Sequence, residues 1–453
     1  MFTRTRRSRY RLRRTAFARR VYLDLVGRIP KVAEVREFED DKTLGKRSAL
    51  VDQLLRKPSY AVHLASVLRS AWLPETLTDV TVQYFGMQYE DWLRKQLLAN
   101  APIDTIVKRT LTANLQARKG FRQSTPETYN ADEASLQAFY TAGQMKPENV
   151  GSTVTRAFLG FKLECAQCHD HPFAPYTKQQ FWEFAAFFGE LAPQPRMLGT
   201  FEGPLFPQYQ VNTQTIPNSQ KVVTATFPDG ESPKWTERRS PRVELADWIT
   251  DDNNPFFARN IANRLWQQFF GIGLIDPIDE SGDANPASHP ELLTELAKAI
   301  RDADYDLRIV IRGIVSSRAY NLSSKRSHSS QDDPRRFARM NMKGLTAHQI
   351  YDSFATATGI KQTIPRNQAY FDQQRQFGRS IFRNLFPETA RPTETQTSIL
   401  QALMMMNGKL IADQTSLDKS EILAAVADSP FLDASGKLEA IFYAALTRKP
   451  TPE

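Results

Sequence analysis

Both cysteines of this 453-residue chain fall in one run, Cys165-Ala166-Gln167-Cys168-His169. The pattern C-x-x-C-H is that of covalent c-type haem attachment: two thiols add across the porphyrin vinyl groups and the adjacent imidazole ligates the iron. A second imidazole follows in Asp170-His171-Pro172-Phe173. Three chemistries suit these residues. The first is a haem c held by Cys165 and Cys168, with His169 as proximal ligand. The second is a zinc or iron site using Cys165, Cys168 and either His169 or His171, completed by a ligand from elsewhere, since zinc accepts mixed sulfur and nitrogen sets. The third is a redox dithiol.

His171 is poorly placed to reach the far face of a haem bound by His169. Histidine–metal bonds are about 2 Å long, and the chain would have to round the macrocycle edge within two residues. Pro172 also drives His171 toward extended backbone. His171 is therefore expected to orient a neighbour, to hold a separate metal or to face a substrate. Asp170 could support either imidazole. Met145 and Met197 are the nearest methionines on each side, and spacing selects neither as a sixth ligand.

A helix over Phe158–His169 would put Cys165, Cys168 and His169 at i, i+3 and i+4, on one face. Phe158, Leu159, Leu163, Phe173, Tyr176, Phe181 and Trp182 could then wall a haem, or could be ordinary core. Three-to-four apolar spacing extends well beyond this stretch. It predicts helix at Val21–Val26, Leu50–Leu55, Tyr60–Leu73, Tyr89–Leu98, Ile103–Leu115, Asn149–Cys168 and Lys178–Phe188. It resumes at Val243–Thr250, Pro255–Phe270, Pro290–Ala303, Leu307–Ser317, Ala347–Thr358, Thr393–Asn407 and Gly436–Thr447. Between the two series, prolines and period-two patches ending in Pro228-Asp229-Gly230 predict a short β hairpin. The expected fold is mainly α, with two helical domains joined by a proline-rich segment that carries a β insert. Its boundaries are a basic, unstructured head at 1–18, a first domain at 19–191, a linker at 192–240 and a second domain at 241–453.

Hydrophobic content of 41% and charged content of 24% are those of a globular protein. No apolar run reaches the roughly 18 residues of a membrane span. The net charge of +9 comes from the head, where residues 1–20 hold nine arginines and no acid. Removing those nine from 59 basic residues leaves 50, against 50 acids. The body is therefore neutral, which argues against a nucleic-acid partner. Tyr10-Arg11-Leu12-Arg13-Arg14 places charge where a signal peptide needs an apolar stretch. Nucleotide-binding, zincin and serine-hydrolase motifs are missing.

The remaining candidates have plainer readings. Asp276, Asp279, Glu280 and Asp283 form an acidic group without EF-hand spacing. Ser288 and Glu291 read as a capping box, with His289 at a helix start. Asn263, Arg264 and Trp266 lie on one predicted helix, where they line a site or simply pack, Arg264 in a salt bridge.

Several long stretches resemble a known pair of families. ARRVYLDLVGRIPKVAEVREFEDD (18–41), LVDQLLRKPSYAVHLASVLRSAWL (50–73) and STVTRAFLGFKLECAQCHDHPFAPYTKQQFWEFAAFF (152–188) resemble the planctomycete-type cytochrome-associated domain of unknown function 1549. The stretches at 243–280, 288–300, 339–354 and 397–411 resemble its usual partner, domain of unknown function 1553. The resemblance implies an exported protein of Planctomycetes or related bacteria, placed in the periplasm or cell envelope. It also implies haem at Cys165, Cys168 and His169. Relative to that family pattern, the chain is expected to be a fragment at both ends. The leading expectation is one c-type haem serving electron transfer with a redox partner protein. The alternatives are a metal-dependent enzyme with a Cys/His site, and a scaffold or interaction protein.

Overall fold

Three-to-four apolar spacing becomes α-helix along most of the chain. The computed structural model describes residues 12–78, 80–115, 131–191, 212–236, 239–360 and 398–451, with 379, 382, 386 and 393. The first series of helices is α1 (Arg14–Val26), α2 (Val32–Asp40), α3 (Lys46–Leu55), α4 (Pro58–Trp72), α5 (Glu75–Thr78), α6 (Val80–Leu98), α7 (Ile103–Leu111), α8 (Ala131–Ala142), α9 (Pro147–Val154) and α10 (Lys178–Ala185). An antiparallel hairpin follows, β1 (Thr213–Thr215) with β2 (Val222–Thr224), Gln214 lying opposite Val223. The second series is α11 (Pro241–Thr250), α12 (Phe257–Phe270), α13 (Pro290–Asp302), α14 (Leu307–Ser316), α15 (Ala347–Thr358), α16 (Ile399–Asn407), α17 (Lys409–Gln414), α18 (Glu421–Ala427) and α19 (Ala434–Leu446). The fold is mainly α with a short β insert, as the periodicity predicts. The basic head is not unstructured through residue 18, because α1 begins at Arg14; residues 1–11 lie outside the described residues.

Packing divides the chain into two compact units. Unit one gathers Met1–His63, Trp266–Ile272 and Ile311–Glu453; unit two gathers Leu64–Leu265 and Gly273–Val310. Each unit therefore takes residues from both sides of the proline-rich segment.

The core of unit two is aromatic. Phe158 meets Trp72 edge-on at 5.1 Å and stacks with Phe139 at 6.0 Å, and Phe139 contacts Tyr89 at 5.6 Å. Such pairs add about 0.5–1.5 kcal/mol each beyond the area they bury. Among the described residues of this unit, Arg69 and Arg242 are buried. Arg69 pairs through Nε with Glu90 Oε2 at 3.0 Å. Arg242 donates to Leu111 O at 2.8 Å, Ala113 O at 2.9 Å and Tyr140 Oη at 3.1 Å, and pairs with Glu190.

Unit one buries a polar knot beside its apolar core. Asp24 of α1 accepts from Lys343 Nζ at 2.7 Å and from Tyr320 Oη at 2.6 Å. Lys343 also donates to Gln268 O at 2.6 Å, at the end of α12. Asp352 pairs with Arg379. A small apolar cluster of Ala347, Tyr351, Phe382 and Ile411 packs on the same helix as Asp352. That helix, α15, starts on a capping box between Thr346 and Gln349.

Candidate functional site

The cysteine run sits in a surface loop of unit two, not on an α-helix. α9 widens into a single π turn over Thr155–Leu159 and stops at Gly160, whose φ is 82°. The Gly160 N–H closes the turn onto Thr155 O at 2.8 Å. A helix over Phe158–His169 is therefore ruled out, and the three residues do not share a helical face. Only glycine enters this left-handed region without cost. A Cβ at Gly160 would also meet Asn260 Oδ1 at 2.8 Å. Gly160→Ala is expected to destabilise unit two by about 1–3 kcal/mol in urea unfolding. Gly230→Ala, also at positive φ but with nothing within 4 Å of the added carbon, should cost less.

Past Gly160 the chain pairs Phe161 with Glu280 in an isolated bridge, then makes one 3₁₀ turn over Glu164–Ala166. Cys165 and Cys168 are both free and exposed. The loop returns to the body at several points. Trp182 Nε1 donates to Gln167 O at 3.2 Å, and Lys178 N donates to Asp170 Oδ1 at 2.9 Å at the start of α10. His171 N donates to Tyr176 O at 2.8 Å, and the Tyr176 ring stacks on Phe161 at 5.1 Å.

The two histidines have opposite hydrogen-bond roles. His169 Nδ1 lies 2.7 Å from Asp170 O. A carbonyl oxygen only accepts, so Nδ1 carries the proton and the neutral ring keeps its lone pair on Nε2. His171 Nδ1 accepts from Phe173 N at 3.1 Å. Its lone pair is thus engaged, and a neutral His171 presents Nε2–H. Hence a neutral His169 keeps its lone pair on Nε2, whereas His171 Nδ1 is engaged by the turn that follows it. Asp170 supports His169 through its backbone carbonyl, and its carboxylate caps α10 instead.

The aromatic wall expected around a haem is mostly core. Phe158, Leu159, Leu163, Phe181 and Trp182 are all at most 3% exposed, and Tyr176 is half-buried. Phe173 is the exception, 82% exposed between Pro172 and Pro175. Cys165, Cys168 and His169 would be the residues to hold a haem c, and the surrounding side chains provide little cover for a macrocycle.

The other candidates are accounted for by packing. Among the described residues, no three His, Cys, Asp or Glu side chains are grouped so as to hold a metal ion. In the acidic group, Asp279 pairs with Arg264 at 2.5 Å and Glu280 with Lys162 at 3.4 Å. Asn263 bonds both N and O of Ile275, at 2.9 and 3.0 Å. Trp266 stacks on Phe270 at 4.0 Å. The predicted Ser288/Glu291 capping box does not form: α13 begins at Pro290 with His289 as its cap residue, and Ser288 Oγ contacts His289 Nδ1 at 3.2 Å. Met197 lies outside the described residues. Asn260 escaped the sequence reading altogether. Gly160 carried a local signal, a glycine closing an apolar helical run.

Residues 5–192 match the family of proteins of unknown function DUF1549, and residues 241–391 match the family of proteins of unknown function DUF1553. No curated protein and no solved structure matches the chain. Residues 5–192, which include the Cys165–His169 run, belong to the DUF1549 family, and residues 241–391 belong to the DUF1553 family.

Proposed function

We propose that the loop at residues 164–177 is a surface attachment site for one c-type haem, used for electron transfer with a partner protein. The observation that carries this reading is the His169 Nδ1 bond to Asp170 O, which frees Nε2 beside two exposed, unpaired thiols. When bound, a haem c supplies a one-electron iron couple. Cys165 and Cys168 fix it covalently, and His169 holds the iron from one side. The exposure of the loop suits direct approach of a redox partner. Covalent haem attachment in bacteria takes place outside the cytoplasm, so the reading also places the chain in the cell envelope.

The test is a pyridine haemochrome spectrum of protein made with an export signal and a haem-attachment system, with metal analysis of the same sample. One covalent haem per chain is expected. Cys165→Ala and Cys168→Ala should each abolish two-bond attachment. His169→Ala should alter the ligand-field spectrum, and His171→Ala should leave it unchanged. Covalent spectra that survive both cysteine variants unaltered would sink the assignment. Stoichiometric zinc or iron without porphyrin would favour a Cys/His metal site instead. A chain with neither, merely less stable without its cysteines, would be a scaffold with a thiol clip.

A further inference from the structure

The last carbonyls of a helix lack intrahelical partners. At the π turn that leads into the cysteine loop, those carbonyls are met by side chains from α12. Arg264 Nη2 donates to Arg156 O at 2.5 Å, and Asn260 Nδ2 donates to Ala157 O at 2.8 Å. Arg264 is itself held by Asp279 at 2.5 Å and by a 3.1 Å bond from its Nε to Asn260 Oδ1. Its positive charge lies at the negative end of the helix dipole, where a cation is favoured. The same region grips the next residues: Ser281 N donates to Gly160 O at 3.1 Å, and Glu280 bridges Phe161. Two sets of residues thus hold the loop. Its C-terminal side is stapled by Trp182, Lys178 and Tyr176, within the DUF1549 region. Its N-terminal side is fixed largely by Asn260, Arg264 and 279–281, all within the DUF1553 region.

We infer that Arg264 and Asn260 are positioning residues for the Cys165–His169 loop, so that the second family region completes the site that the first one carries. The inference deepens the haem reading and rests on it for its functional meaning. The geometric part is independent of haem. A hydrogen bond to a charged group is stronger than one between neutral groups. In native-state hydrogen exchange of the full chain without haem, Arg264→Met should speed exchange of the amides at 160–169 by at least ~10-fold. Asn260→Ala, a milder change, should act in the same direction. Asn263→Ala is the control, because Asn263 lies on the same helix but bonds Ile275. It should leave those amides unchanged relative to global unfolding. In haem-loaded protein, Arg264→Met should also shift the reduction potential, and Asn263→Ala should not.

Equal loop exchange in Arg264→Met and Asn263→Ala would overturn the inference, as would no change in Arg264→Met. Should Arg264→Met fail to fold, Asn260→Ala against Asn263→Ala decides the question alone. Failure of the haem reading would show as wild-type protein without haem, and would leave the exchange result standing.

Discussion

Exchanging Glu90 for glutamine is expected to lower the stability of the chain by about 3–5 kcal/mol. The ion pair it breaks is out of water: the Arg69 side chain is 0% exposed and that of Glu90 7%. An arginine does not shed its proton, so the variant leaves a guanidinium charged and uncompensated inside an aromatic core. Among the described residues Nη1 and Nη2 of Arg69 have no hydrogen-bond partner, and none of those residues takes over from Glu90. Removing both charges together, as in Arg69→Met with Glu90→Leu, should recover most of the loss, because well-packed apolar replacements of buried pairs are often neutral. Chemical unfolding of the two single variants and the double variant measures the coupling. A Glu90→Gln loss below about 1 kcal/mol would show that the pair is solvated in solution, since exposed pairs contribute that little.

Acid should weaken the chain at pH values above the ordinary carboxylate range. His63 is buried, and burial pushes its imidazole down from 6.5 to about 4. Asp24 and Asp352 oppose that shift, while Arg379 and Lys343 reinforce it. The folded state therefore keeps His63 neutral while the unfolded chain takes up a proton. Stability is full above pH 6.5 and falls by about 3 kcal/mol as pH drops from 6.5 to 4, at about 1.4 kcal/mol per unit. Glu34 acts in a lower window. Burial alone would raise it, but hydrogen bonds from Arg28, Lys57 and the Lys31 backbone bring it down to about 2. Its contribution is present above pH 4.5 and is lost between 4.5 and about 2. Comparing His63→Leu with wild type across pH 4–8 isolates the first window. Identical slopes in the two proteins would refute it.

Helices whose apolar residues repeat over several turns were legible from sequence, and α15 begins and ends where its pattern does. The end of α9 was not. Phe161 and Leu163 continue the apolar spacing past Gly160, so periodicity alone carries the helix on to Cys168. What stops it is a left-handed glycine packed against Asn260, 100 positions along the chain. The aromatic residues near the cysteines were ambiguous for a related reason. Composition marks Phe158, Phe181 and Trp182 as apolar, and only packing shows them inside unit two while Phe173 is outside. The distinction between His169 and His171 lies deeper still. It depends on which backbone group each Nδ1 meets, a carbonyl for one and an N–H for the other. α2 and α8 are helices that the apolar spacing did not predict.

The interleaving of the two units bears on how the chain is made. Unit one needs residues up to His63 together with residues from Ile311 onward. Roughly 250 residues separate those stretches, and at ~5–20 residues per second the ribosome takes roughly 12–50 s to cross them. Through that interval Asp24 of α1 has been synthesised without Tyr320 and Lys343, its later partners. Unit two can close while the early segment waits. The order of synthesis and the order of completion are thus inverted: the unit begun first is the one finished last.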